Sequence, residues 1–157
     1  MQLTDHHMIP RSRLGPERRN TLGRRNIKRV QWQYHDAWHC LFLNMTPYEA
    51  VICIIERLAP PDYFSNVRLK AVWGGAEYEY SLRAEREPIL MIDHYRTKKD
   101  CDRFLKTLFA GKDWPAIISE VVTSWSPEGY WQTAVVRTHQ RGRRSSFMYQ
   151  NQEAVSA

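Results

Sequence analysis

Four of the six histidines in this 157-residue chain fall within its first 39 residues, as the doublet His6-His7 and the pair His35 and His39, with Asn26 between them. For these rings to converge on one ion and one substrate group, a short N-terminal strand has to be brought against a helix. Residues at i and i+4 of a helix lie on one face one turn apart, so the imidazoles of His35 and His39 can reach a single ion. Neighbouring side chains of an extended segment point in different directions, so His6 and His7 are expected to do different jobs. One completes a metal shell while the other faces the substrate.

The surrounding pattern predicts where these residues sit. Residues 1–12 begin as a short extended piece running into Pro10. Residues 13–25, with Gly15, Pro16, Asn20 and Gly23 among five arginines, read as a flexible basic loop. A strand or turn over 26–30 precedes a helix over 31–43, whose Tyr34, Trp38, Leu41 and Phe42 recur at helical spacing. Thr46, Pro47 and Glu49 supply an N-cap, a first-turn proline and an acid at N3, so a second helix starts there and runs to about Leu58, before Pro60-Pro61.

Further along, alternation on both sides of Gly74-Gly75 predicts a hairpin over 67–83. An amphipathic helix is expected over 98–110, closed by Gly111. Another follows Asp113, with Ile117, Ile118, Val121 and Val122 facing inward. Residues 137–157 lose periodicity and read as a basic, flexible tail. The organisation is therefore α+β: 1–58 as the histidine-bearing motif with its following helix, 59–136 as a small supporting or targeting region of helices and a hairpin, and 137–157 as the tail.

Charge points to the class of partner. The net charge is +6, and residues 1–45 carry eight Lys or Arg against Asp5, Glu17 and Asp36, so most of the excess lies with the histidines. An acidic partner follows, and nucleic acid is the commonest one. Arg137, Arg141, Arg143 and Arg144 form a second basic group. Cys40, Cys53 and Cys101 match neither a zinc ribbon nor a disulfide framework, which suits reduced thiols in the cytoplasm. No apolar run is long enough to span a bilayer, and no signal peptide is expected. A protein partner or homo-oligomer is not indicated. His94 is expected to be structural, and Trp114, Trp125 and Trp131 to pack in the core rather than stack on bases.

Three stretches together, D-H-H-M-I-P-R-S-R at 5–13, R-N-I at 25–27 and H-D-A-W-H at 35–39, resemble the HNH (ββα-metal) endonucleases. The similarity is to the histidine-rich branch that includes the nuclease colicins, and it covers about residues 4–45. It implies an N-terminal ββα-metal motif that hydrolyses DNA. His7 would be the general base, His6, His35 and His39 the ligands of one divalent ion, and Asn26 the residue that fixes the loop orienting His7. Asp5 is a competing ligand, since many family members carry Asp where His6 stands. Arg11, Arg13, Arg24 and Arg25 would meet the nucleic-acid backbone.

These roles agree with the chemistry of phosphodiester hydrolysis. It needs a water deprotonated near neutral pH, and imidazole is the side chain suited to that work. Three neutral imidazoles favour Zn²⁺, Ni²⁺ or similar ions in the resting site, with Mn²⁺ or Mg²⁺ as further candidates for turnover. The alternative is a non-catalytic nucleic-acid-binding or interaction protein with a structural or degenerate metal site. Structural zinc sites usually have four protein ligands, whereas this set offers three and an open position, which favours the enzyme.

Overall fold

The computed structural model describes residues 2–17, 22–60, 62–82, 97–139 and 146–151. The loop residues Arg18 and Arg19, together with His94, Arg141, Arg143 and Arg144, lie outside them. The chain is α+β. A two-stranded antiparallel ribbon pairs β1 (Leu3–His7) with β2 (Ile27–Gln31), and β2 runs directly into helix α1 (Trp32–Phe42). Gln31 gives α1 no side-chain cap. Instead the free N–H of Trp32 donates to the Gln2 carbonyl at 3.3 Å, so the ribbon itself satisfies one of the groups a helix start leaves open.

Helix α2 (Pro47–Cys53) begins on the expected capping box, with Thr46 and Glu49 exchanging side-chain and backbone hydrogen bonds. Its last turn, Ile54–Leu58, widens to π geometry, closed by the Ala59 N–H on the Ile54 carbonyl at 2.9 Å. Strands β3 (Phe64–Trp73) and β4 (Ala76–Ser81) form the hairpin about Gly74-Gly75, whose φ values of 59° and 81° are those a tight two-residue turn requires. Helices α3 (Lys98–Phe109) and α4 (Trp114–Ser124) start on the side chains of Thr97 and Asp113.

Two strands were not expected. Trp131–Thr138 forms β5, which lies against β3, and Ser146–Gln150 forms β6, which pairs with β5; the sheet order is β4-β3-β5-β6, antiparallel throughout. The segment 137–157 is thus not wholly a loose tail. Phe147 and Tyr149 pack against the core in alternation with exposed Met148 and Gln150, a period-two pattern too short to stand out after the arginine run.

One core gathers side chains from both sides of residue 58. It runs from Ile9, Leu14 and Val30, through Trp38, Leu41 and Phe42 of α1, to Phe104, Val121, Trp131 and Val136. The reason is geometric. The ribbon is too small to cover the apolar face of α1, so α3 packs against that helix, while α4 packs on α2, β5 and β6. Among the described residues no single helix is long and apolar enough to cross a membrane; α1 and the α2 segment pass such a test only together, across a 64° bend.

Candidate metal centre

Alternation along β1 sorts the N-terminal residues. His6 pairs with Lys28 and Thr4 with Val30 on the ribbon face that meets α1, whereas Asp5 pairs with Arg29 on the other. The ring of His6 is 1% exposed, and its centroid lies 5.2 Å from those of both His35 and His39, which are 4.8 Å from each other. One donor atom from each of the three lies within 4.8 Å of the other two, close enough to bind a metal ion. Among the described residues no carboxylate or thiol joins them. Asp5 is turned away into an exposed ion pair with Arg29 at 3.4 Å.

Hydrogen bonds fix which nitrogen each ring can offer. His39 Nδ1 lies 3.2 Å from the Leu43 carbonyl, which can only accept, so Nδ1 carries the proton and Nε2 keeps its lone pair. His35 Nδ1 is 2.9 Å from the Thr4 hydroxyl, and that hydroxyl is also 3.3 Å from the Val30 carbonyl. With the Thr4 proton directed to Val30, Thr4 accepts from His35 Nδ1–H and again leaves Nε2 unprotonated. Metal-binding histidines are typically held in this way. Both nitrogens of His6 are buried with no hydrogen-bond partner among the described residues. An orphaned imidazole is costly, and a cation beside its lone pair would remove the cost.

The donor set suits a metal ion. Tetrahedral zinc with Zn–N distances of about 2.0–2.1 Å has donors roughly 3.4 Å apart, within small side-chain adjustments of the arrangement here. Burial and the neighbouring His39, His35, His7 and Lys28 push the His6 ring down to about 3, so it is neutral and ready to ligate at physiological pH. Burial and His39 lower His35 as well. The His6 ring is wedged against Trp38 and Trp125, with centroids 5.6 and 5.3 Å away, and the two indoles stack at 4.5 Å. Lys28 Nζ lies 5.1 Å over Trp125.

Asn26 is buried and grips the chain just beyond the doublet. Its Oδ1 accepts from the Ile9 N–H and its Nδ2 donates to the Ile9 carbonyl, both at 2.8 Å, and its own carbonyl accepts from Met8 N–H at 2.9 Å. His7, half-buried at the end of β1, immediately precedes this clamped segment. Its ring is near enough to both His6 and His35 to help lower them.

Arg13 is engaged within the chain. Its guanidinium makes a two-pronged pair with Glu49, one arm at 2.9 Å and the other shorter, and also reaches the Asn44 carbonyl at 3.3 Å. This pair ties the loop after the doublet to the cap of α2. Arg11, Arg24 and Arg25 are exposed. Trp125 and Trp131 are buried and Trp114 is partly buried against the core.

Sequence reasoning missed the indole wall behind His6. Its two rings come from α1 and from the far end of α4, and no local signal joins positions 38 and 125. No family model, curated protein or solved structure matches this chain.

Proposed function

We propose that the chain is a metal-dependent endonuclease of the HNH type that hydrolyses phosphodiester bonds in DNA. The observation that carries this reading is the convergence of His6, His35 and His39 with Nε2 left free on the two helical rings. A divalent ion held by these three would stabilise the negative charge that grows on the phosphate and on the leaving 3′-oxygen.

The remaining work falls to the chain's own groups. His7, outside the ligand set, takes the proton from the attacking water. Asn26 holds the backbone at Met8 and Ile9, so His7 keeps one orientation. Arg11, Arg24 and Arg25 supply positive charge on the exposed loop, which positions a phosphate backbone without reading sequence. Lys28 adds charge beside the rings. A reducing cytoplasm is part of the proposal, supported by three cysteines that form no disulfide among the described residues, of which Cys53 and Cys101 are buried.

The experiment is incubation of the pure protein with supercoiled plasmid in EDTA, Mg²⁺, Mn²⁺, Ni²⁺ or Zn²⁺, beside His7→Ala and His39→Ala. The wild type should nick or linearise DNA in at least one metal and not in EDTA. His7→Ala should lose cleavage while still binding metal, and His39→Ala should lose both. A wild type inert in every metal ends the enzymatic reading. Melting curves taken alongside separate loss of chemistry from loss of fold.

A further inference from the structure

Trp32 opens α1 with its side chain 60% exposed, an uncommon place for the largest apolar ring. Positions 32, 35 and 39 fall within about 60° of one another around a helix, so Trp32 stands one turn before His35 on the face that carries the metal-site rings. Its backbone N–H is tied to Gln2, beside Leu3, which is itself 50% exposed. Among the described residues the indole has no ring or hydrogen-bond partner. Gln33 and Asp36, one and four residues along the helix, are exposed and polar or charged. Even with Leu3 beside it the ring is far smaller than a stable protein interface needs, and its face matches that of one nucleobase.

We infer that Trp32 is a stacking platform for an unpaired base beside the scissile phosphate, which makes the substrate class DNA with single-stranded character at the cut. The inference rests on the nuclease reading and specifies its substrate. In an intact duplex each base is covered above and below by its neighbours and presents no face to an indole. A base in a single strand, flap or branch does, and stacking of this kind tolerates any sequence. Lys28, on the ribbon face that meets α1, adds positive charge on the side of the metal-site rings.

The test is fluorescence anisotropy in EDTA, where binding is read without metal or cleavage, using a labelled oligothymidylate and a blunt-ended duplex of equal length. Trp32→Ala should weaken single-strand binding roughly 5- to 100-fold and leave duplex binding unchanged. Trp32→Phe, which keeps a ring, should retain most of the affinity. Equal loss on both probes, or loss on neither, overturns the inference. So does a change in oligomeric state with oligonucleotide affinity intact, which would mean that a second copy covers the ring. A wild type that nicks plasmid while Trp32→Ala binds single strands normally defeats this inference and spares the nuclease reading. A wild type that binds no DNA defeats both.

Discussion

Leu43 turns its carbonyl back onto the helix that precedes it, 3.2 Å from His39 Nδ1, while its own N–H closes the helix on the His39 carbonyl at 2.9 Å. Leu43 does so at φ 53° and ψ −124°, a conformation that a residue with a Cβ adopts only at a cost. The helix end and the ring orientation are thus one structural feature. On the other side of the site Thr4 does the same for His35 from the ribbon.

Thr4→Val keeps the strand and the shape of the side chain but removes the acceptor that orients His35. Zinc affinity should fall roughly 10- to 100-fold, the usual effect of removing such an outer partner. Competition titration with a chromophoric chelator measures it. An unchanged affinity would mean that Thr4 does not orient the ligand.

Stability should depend on pH through His6. Its folded value of about 3 lies below the 6.5 of the unfolded chain, so between these limits the unfolded state binds more protons. The contribution is fully present above pH 6.5 and is lost progressively as pH falls toward 3. His35 is lowered too and adds in the same direction. Urea melts in EDTA at about pH 7.5, 6 and 5 should show stability falling by roughly 1 kcal/mol per unit below 6.5. His6→Leu should flatten that slope, and a wild type with no slope would contradict the burial of the neutral ring.

That His35 and His39 share one helix face and that His6 and His7 point apart was legible from spacing, because i and i+4 on a helix and alternation on a strand are local rules; which of the doublet joins the pair came only with the family resemblance. Helices α2 and α4 were legible from their caps at Thr46 and Asp113, and the hairpin from Gly74-Gly75. Strand β5 was not, since Ala134, Val135 and Val136 are all buried and a continuous apolar run carries no alternation to read. The environment of His6 was not legible either. Trp125 reaches it across 119 residues of chain, through packing that no local pattern encodes. The Arg13–Glu49 pair was not legible for a related reason: its partners lie 36 residues apart, and no local pattern in a basic loop joins them.

Arg13→Ala should therefore report on stability rather than on DNA. The side chains of the pair are 34% and 12% exposed, so its loss leaves a largely buried Glu49 carboxylate without its partner. After allowance for the wet Arg13 end, about 2 kcal/mol of destabilisation is expected. Chemical denaturation checks this, with a double-mutant cycle to Glu49→Gln. The salt dependence of DNA binding should stay as in the wild type, whereas Arg24→Ala should reduce the slope by about one. A shallower slope for Arg13→Ala would return this residue to the nucleic-acid face.

Asn26 offers the sharpest separation of orientation from ligation. Its amide satisfies both the N–H and the carbonyl of Ile9, so Asn26→Ala strands two buried backbone groups at a cost of about 2–4 kcal/mol. Asn26→Asp keeps the acceptor for the N–H but sets a carboxylate oxygen against the Ile9 carbonyl, and it adds a buried charge. It should therefore be no better than Ala, although aspartate is the closest match in shape. Neither change touches the three ligand rings. At a temperature where both variants remain folded, zinc affinity should be nearly that of the wild type while plasmid nicking falls toward the level of His7→Ala. Full nicking activity in Asn26→Asp would mean that the Ile9 clamp does not govern His7. A parallel loss of metal affinity would mean that the clamp holds His6 instead.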